Sequence, residues 1–202
     1  MSKILIVNGT QPYEFAPGQL NASLVERARN TLAAMGHDVR VTTVADGYDA
    51  NAEVDAHLWA DTVIMQFPVN WMGVPWVFKK YIDEVYTTGM DGRLCAGDGR
   101  TTDAPKVNYG TGGTLNGKKY MLSVTFNAPK EAFDDESEPF FAGASVDDLL
   151  APMHLNAKFF AMQPLTTFAA FDVMKNPEIE ADFARFDAHL KTTFAEVEHV
   201  PA

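Results

Sequence analysis

The segment best equipped for chemistry is Gln66-Phe67-Pro68-Val69-Asn70-Trp71-Met72-Gly73-Val74-Pro75-Trp76. An apolar run ends there in a turn that carries Trp71 and Met72, and Gly73 and Pro75 then launch a helical pattern. A tryptophan at the exit of a strand serves poorly as core. It serves well as the wall of a planar ligand, because rings stack with offset geometry. Backbone N–H groups of the Pro68 to Trp71 turn would hydrogen-bond the heteroatom edge of that ligand. The plainer alternative is that Trp71 and Trp76 pack under a loop. A second segment, Pro17-Gly18-Gln19-Leu20-Asn21, opens a helix. Free N–H groups in its first turn and the positive end of the helix dipole make an anion site without a lysine. Gly18 would let the backbone approach a phosphate closely. The plainer alternative here is an ordinary helix entrance, with Asn21 merely polar.

Other chemistry is weakly represented. No G-x-G-x-x-G follows the first apolar run, and no Walker A sequence occurs. Counted from Gly110, the third glycine position of the dinucleotide motif is Leu115. No histidine pair has H-x-x-x-H spacing, so no metal site is expected. His57 is expected to be solvated or half-buried. His37 follows Gly36 at a helix end, where the dipole favours a cation. His189 and His199 read as surface. His154, just after Pro152-Met153, is a candidate for a substrate or partner contact. Cys95, between Leu94 and Ala96, has no CxxC or metal spacing and reads as structural. The acidic run Asp134 to Glu138 reads as a solvated loop, and Lys79-Lys80-Tyr81 as the exposed turn of a helix.

These segments need elements to position them. Lys3 to Asn8, Asp38 to Thr43, Asp61 to Phe67, Lys119 to Phe126 and Leu165 to Phe171 read as strands. Gln19 to Met35, Ala52 to Trp59, Val74 to Thr87, Val146 to Met162 (interrupted by Pro152) and Glu178 to Glu198 read as helices. Asp91 to Gly117, rich in Gly, Asp, Thr and Asn, is a long excursion with one small hairpin, of the kind that is functional or mobile. Strict alternation of strand and helix implies an α/β fold: a flavodoxin-like, doubly wound, five-stranded parallel sheet with helices on both faces, in one domain spanning 1–202. In such sheets ligands sit beyond the carboxyl ends of the strands. That singles out Asn8 to Asn21, Phe67 to Gly73 and Thr125 to Phe133.

The chain has 202 residues, 47% of them apolar and 21% charged, enough for a real core. Sixteen basic against 27 acidic residues give −11, which argues against nucleic acid and against an anionic membrane surface. An anionic ligand must then be held by backbone dipoles. The single cysteine suggests a reducing compartment. The first apolar run, Ile4 to Val7, is too short for a signal segment, and no run approaches the roughly 20 residues that span a bilayer. A cytoplasmic protein with no integral membrane segment is expected.

The stretch QFPVNWMGVPWVFKKYIDEV, Gln66 to Val85, resembles the QFP-x-x-W-x-G-x-P signature of the NAD(P)H:quinone oxidoreductases of flavodoxin-like fold. Together with MSKILIVNG, GQLN, WADTVI, DGRT, GKKYMLSVTFNAP and NAPKEAF, it makes nearly the whole chain similar to the bacterial branch named modulator of drug activity B. The resemblance implies non-covalent FAD, a homodimer with sites at the subunit interface, and hydride transfer from NADPH (or NADH) to flavin and then to a quinone, with ping-pong kinetics. It implies that Gly18, Gln19, Leu20 and Asn21 hold the pyrophosphate and ribityl groups. Pro68, Val69, Asn70, Trp71, Met72 and Gly73 would line one edge of the flavin ring. Thr125, Phe126, Asn127 and Ala128 would meet the other, with Phe133 nearby. The excursion would reach over the partner's flavin, with Tyr109, Asn127 and His154 as substrate-pocket candidates and no catalytic residue assigned with certainty. Lys79 and Lys80 could attract the NADPH phosphate. Two departures stand out. The mammalian branch has Thr-Thr-Gly-Gly where this chain has Thr125-Phe126-Asn127-Ala128. Phe15-Ala16-Pro17 stands where other bacterial members carry polar His and Ser, and Pro17 has no N–H, which throws weight onto Gly18 and Gln19. A flavodoxin-type electron carrier or a flavin-free interaction protein on the same scaffold are the alternatives. The carrier normally has a Ser- and Thr-rich loop after strand one, which this chain lacks.

Overall fold

Alternation within the strands decides which helices cover which face of the sheet. The computed structural model describes residues 1–195. Strands β1 (Lys3–Asn8), β2 (Asp38–Thr43), β3 (Thr62–Pro68) and β4 (Lys119–Thr125) pair in parallel. Two short strands, β5 (Gln163–Pro164) and β6 (Phe168–Ala170), both pair in parallel with β4. The order is β2-β1-β3-β4-β5, with β6 also on β4. It reverses direction between β1 and β3, which is the flavodoxin-like switch point.

The helices are α1 (Gln19–Ala34), α2 (Ala50–Trp59), α3 (Trp76–Thr88), α4 (Val146–Leu149), α5 (Ala151–Phe159) and α6 (Ile179–Thr193). Ile4 and Ile6 of β1, Ile64 of β3 and Met121 of β4 pack on one face against Leu24, Ala28 and Leu32 of α1 and Phe186 and Leu190 of α6. Their neighbours Leu5, Val7, Val63, Met65, Leu122 and Val124 pack on the other face against Val54 of α2, Phe78 and Val85 of α3, and Met153 and Ala157 of α5. Period-two alternation with apolar residues on both faces is what a sheet covered twice requires.

The expected last strand, Leu165 to Phe171, is corrected to two short pieces, so the sheet has six strands rather than five. The chain leaves the ladder between them: the His189 Nε2–H donates to the Thr166 carbonyl at 3.0 Å, and the Thr167 hydroxyl donates to Asp147 at 2.6 Å. The expected helix from Val146 breaks at Leu150, because Pro152 has no N–H and restarts the turn as α5. The excursion has an isolated antiparallel bridge, Cys95 to Gly113, in place of a hairpin. It is anchored by buried Leu94, Cys95 and Leu115. The portion of the terminal helix expected beyond residue 195, with His199, lies outside the described residues. Among the described residues no helix is long and apolar enough to cross a membrane.

Two placements differ from expectation on the α2–α3 side. Tyr81 is buried rather than exposed, and its hydroxyl donates to Glu53 Oε2 at 2.7 Å. His57 is fully buried rather than solvated. Its Nδ1–H donates to the Glu53 carbonyl at 2.9 Å, and Nε2 has no partner. Burial holds the His57 imidazole below its ordinary value near 6.5. On the acid side of 6.5 the unfolded chain therefore binds more protons than the folded one. Stability is complete above that pH and falls as pH drops below it. His57→Phe is expected to flatten that acid limb, as read from urea midpoints across pH.

Candidate active site

Three strand exits meet at the switch point and enclose a cleft of about 960 Å³, within the range of small-molecule sites. Backbone bonds fix these exits to one another. Gly9 N–H donates to Gln66 O at 2.9 Å, and Val69 N–H to Thr125 O at 2.9 Å. Beneath them Gln66 Nε2 donates to Asn21 Oδ1 at 2.8 Å, and Asn21 Nδ2 to Thr125 Oγ1 at 3.2 Å. Asn21 thus does more than sit at a helix entrance: it ties the start of α1 to the ends of β3 and β4.

The first exit ends at Gly18, whose φ of 82° is left-handed and which precedes the first turn of α1. Its carbonyl takes the N–H of Ala22, and the N–H groups of Gln19, Leu20 and Asn21 have no acceptor within the helix. No side chain caps this end. Thr10 Oγ1, on the same wall, is buried without a partner. Before it, Tyr13 and Ala16 exchange two backbone bonds, so that Phe15 stacks on Tyr13 at 5.5 Å and stands 77% exposed.

The second exit is a tight turn. Asn70 N–H donates to Gly73 O at 2.9 Å and Gly73 N–H to Asn70 O at 3.1 Å. Trp71 and Met72 between them have φ of 48° and 65°. Two consecutive non-glycine residues in the left-handed region cost about 1–2 kcal/mol each, and such strain concentrates at binding sites. The turn projects the Trp71 indole into solvent, 96% exposed.

Gly18, Gln19, Leu20, Asn21, Pro68, Val69, Asn70, Trp71, Gly73, Thr125 and Asn127 all line this cleft. Met72, Phe126, Ala128 and Phe133 do not. Phe126 and Phe133 are 4% exposed and pack on each other at 5.1 Å and on Phe171. Tyr109 sits on the excursion, edge-on to Phe159 at 5.9 Å with the Arg100 guanidinium 5.4 Å from its ring centre, away from this cleft. His154 belongs to the opposite end of β4: its Nδ1 is 2.7 Å from the Tyr120 hydroxyl and its Nε2 3.2 Å from Asp147. Burial, with Asp147 nearby, pushes the Tyr120 hydroxyl up to about 12. Val173, Met174 and Ile179 complete the wall. Sequence reasoning missed them, although the strand-end rule also applies to the loop after β6.

Among the described residues no Asp, Glu, Lys, Arg or His lines the cleft, in a chain of net charge −11. Among the described residues no group of three or more potential ligands could hold a metal ion. Of the N–H donors expected from the Pro68 to Trp71 turn, those of Val69 and Asn70 are used within the fold and Pro68 has none, so the arrangement suits a long planar ligand with a ring against the Trp71 turn, a polar edge at the Trp71 N–H, and an anionic part at the start of α1.

A family model described as flavodoxin-like fold matches residues 2–193, and the chain belongs to that family. Within it, the chain is 45% identical over 191 residues to the NADPH:quinone oxidoreductase MdaB of Haemophilus influenzae, covering 95% of this chain and 98% of that one. It is 44% identical over 192 residues to the uncharacterized protein C5H10.05c of Schizosaccharomyces pombe, covering 95% and 97%. Among solved structures, the NADPH-quinone reductase from P. pentosaceus shares the fold at a TM-score of 0.63 and 19% identity, over 96% of this chain and 99% of that one. The general stress protein 14 of Treponema denticola, solved with FMN, shares it at 0.65 and 22%, over 95% and 99%.

Proposed function

We propose that this protein is an FAD-dependent NAD(P)H:quinone oxidoreductase that works as a homodimer. The observation that carries the reading is the uncharged cleft between an exposed Trp71 and an uncapped start of α1. The 45% identity to an NADPH:quinone oxidoreductase along the whole chain supports the reaction class. The residues fit the cofactor: Thr10 Oγ1 is an unmet buried donor, and the first N–H groups of α1 are open to a pyrophosphate. Met174 and Ile179, after β6, line the same cleft, and its volume of about 960 Å³ favours a dinucleotide over a mononucleotide. Bound flavin supplies two-electron hydride chemistry. The chain's part is to hold the ring against Trp71 and Asn70. With the Val69 and Asn70 N–H groups taken inside the fold, the Trp71 N–H is the donor that would meet negative charge developing on the ring, and a ring face left uncovered would serve nicotinamide and quinone in turn, with ping-pong kinetics. No lining side chain needs to act as acid, base or nucleophile.

Large aromatics at the cleft rim, Phe15 at 77%, Trp71 at 96% and Trp76 at 61%, favour coverage by a second copy. Tyr109 would act in the partner's site through the 91–117 excursion, within a single domain. His154 has no role in its own chain's cleft on this reading. The test is direct. Purified protein loaded with FAD should be yellow, bleach on addition of NADPH, and recolour with menadione. Colour that NADPH does not bleach indicates an electron carrier, and failure to take up FAD indicates a flavin-free interaction protein.

A further inference from the structure

Gln66, Asn21 and Thr125 form a one-way chain under the floor of the cleft. All three are buried, at 1%, 5% and 3% exposure. Gln66 gives an N–H to Asn21, and Asn21 gives an N–H to the Thr125 oxygen. A threonine hydroxyl has one proton. Because its oxygen already accepts from Asn21, that proton is left for the cleft, which Thr125 lines. The arrangement leaves Gln66 Oε1 buried without a partner. An unmet buried acceptor is destabilising, and a methionine of similar size would remove it if packing were the only role of residue 66.

We propose that Gln66 and Asn21 are positioning residues that hold the Thr125 hydroxyl as a hydrogen-bond donor to an acceptor edge of the flavin ring. This rests on the flavin reading above. The backbone bonds from Gly9 to Gln66 and from Val69 to Thr125 keep the two strand ends in register, so the chain's polarity is set by the side-chain amides alone.

Two measurements test it. In FAD titrations, Thr125→Val is expected to weaken binding about tenfold and Thr125→Ser to restore it to within about twofold. Gln66→Met should weaken binding about threefold, and the double variant Gln66→Met/Thr125→Val should bind no worse than Thr125→Val alone, because Gln66 acts only through the hydroxyl that the second change removes. A Thr125→Val chain of unchanged affinity, a serine that fails to rescue, or additive effects would overturn the proposal. The second measurement needs no flavin. Side-chain amide resonances of Asn21 should move upfield in Thr125→Val, which deletes their acceptor, and move clearly less in Gln66→Met, which deletes only the donor to Asn21 Oδ1. The reverse pattern means that Asn21 donates to Gln66, and it sinks the proposal even if the protein binds FAD. A wild-type chain that takes up no FAD refutes the flavin reading instead. The donor claim then falls with it, while the amide shifts still decide the chain's polarity.

Discussion

Gly18→Val is expected to weaken FAD binding about a hundredfold, close to 3 kcal/mol, with a smaller loss, about tenfold, for Gly18→Ala. The reason is local. A left-handed φ of 82° costs any L residue about 1–2 kcal/mol, more when it is β-branched. A Cβ at this position would also stand 2.7 Å from Thr10 Cγ2. Thr10 has little room to retreat: it is 5% exposed, and its N–H is held by Asn8 Oδ1 at 3.1 Å. The first turn of α1 would have to swing away, taking with it the N–H groups proposed to meet the pyrophosphate. Titration of the apoprotein with FAD reads the effect, and a thermal melt shows whether the rest of the fold survives. Unchanged affinity would mean that the start of α1 holds no anionic part of the ligand.

The same region shows how a protein of net charge −11 can be built for a ligand with a diphosphate. Surface carboxylates raise a diffuse negative potential, screened over about 8 Å at physiological salt. Helix N–H groups act at contact distance and do not depend on net charge. Among the described residues no carboxylate is in the lining, which removes the close repulsion, and the dipoles then decide. Lys79 and Lys80 take no part in the cleft. They pair with Asp83 and Glu84 on the surface of α3.

Much of this was legible in the sequence because it depends on period and punctuation. β1, β3 and β4 are continuous apolar runs bounded by polar residues, and the structure places them within a residue or so of expectation. Gly36 ends α1 with a φ of 85°, as a residue just past a helix should. What failed depended on partners remote in the chain. Tyr81 follows two lysines and looked exposed, but its burial is set by Glu53, 28 residues earlier. The break between β5 and β6 follows from Asp147 and His189, on other elements. The cleft itself was only half legible. The Trp71 and Gly18 segments announce themselves by residue type. Val173, Met174 and Ile179 are ordinary apolar residues, placed there only by the topology. Phe126 and Phe133, expected beside the flavin, are buried against the rings of Phe141 and Phe171 and are not in this cleft's lining.

Glu53→Leu is expected to destabilise the fold by about 3 kcal/mol, lowering the melting temperature by about 6–12 °C in a chain of this length, while leaving FAD affinity unchanged. Glu53 is 8% exposed and serves two hydroxyls at once: Tyr81 donates to Oε2 at 2.7 Å, and Thr42 to Oε1 at 3.0 Å. Burial, reinforced by the Glu53 carboxylate, holds the Tyr81 hydroxyl far above its ordinary range, so it remains a donor at any pH the fold survives. A leucine fills the volume but leaves both donors unmet, each at a cost of about 1–3 kcal/mol. Glu53→Gln keeps an acceptor oxygen and should lose about half as much. Tyr81→Phe in the Glu53→Leu background should recover part of the loss, because deleting the stranded hydroxyl removes its desolvation penalty. None of Glu53, Tyr81 and Thr42 lines the cleft, so a fall in flavin affinity at a temperature where the variant is folded would contradict this separation. Recovery on adding Tyr81→Phe distinguishes an unmet hydrogen bond from a packing defect, since a second truncation in a poorly packed core can only lower stability further.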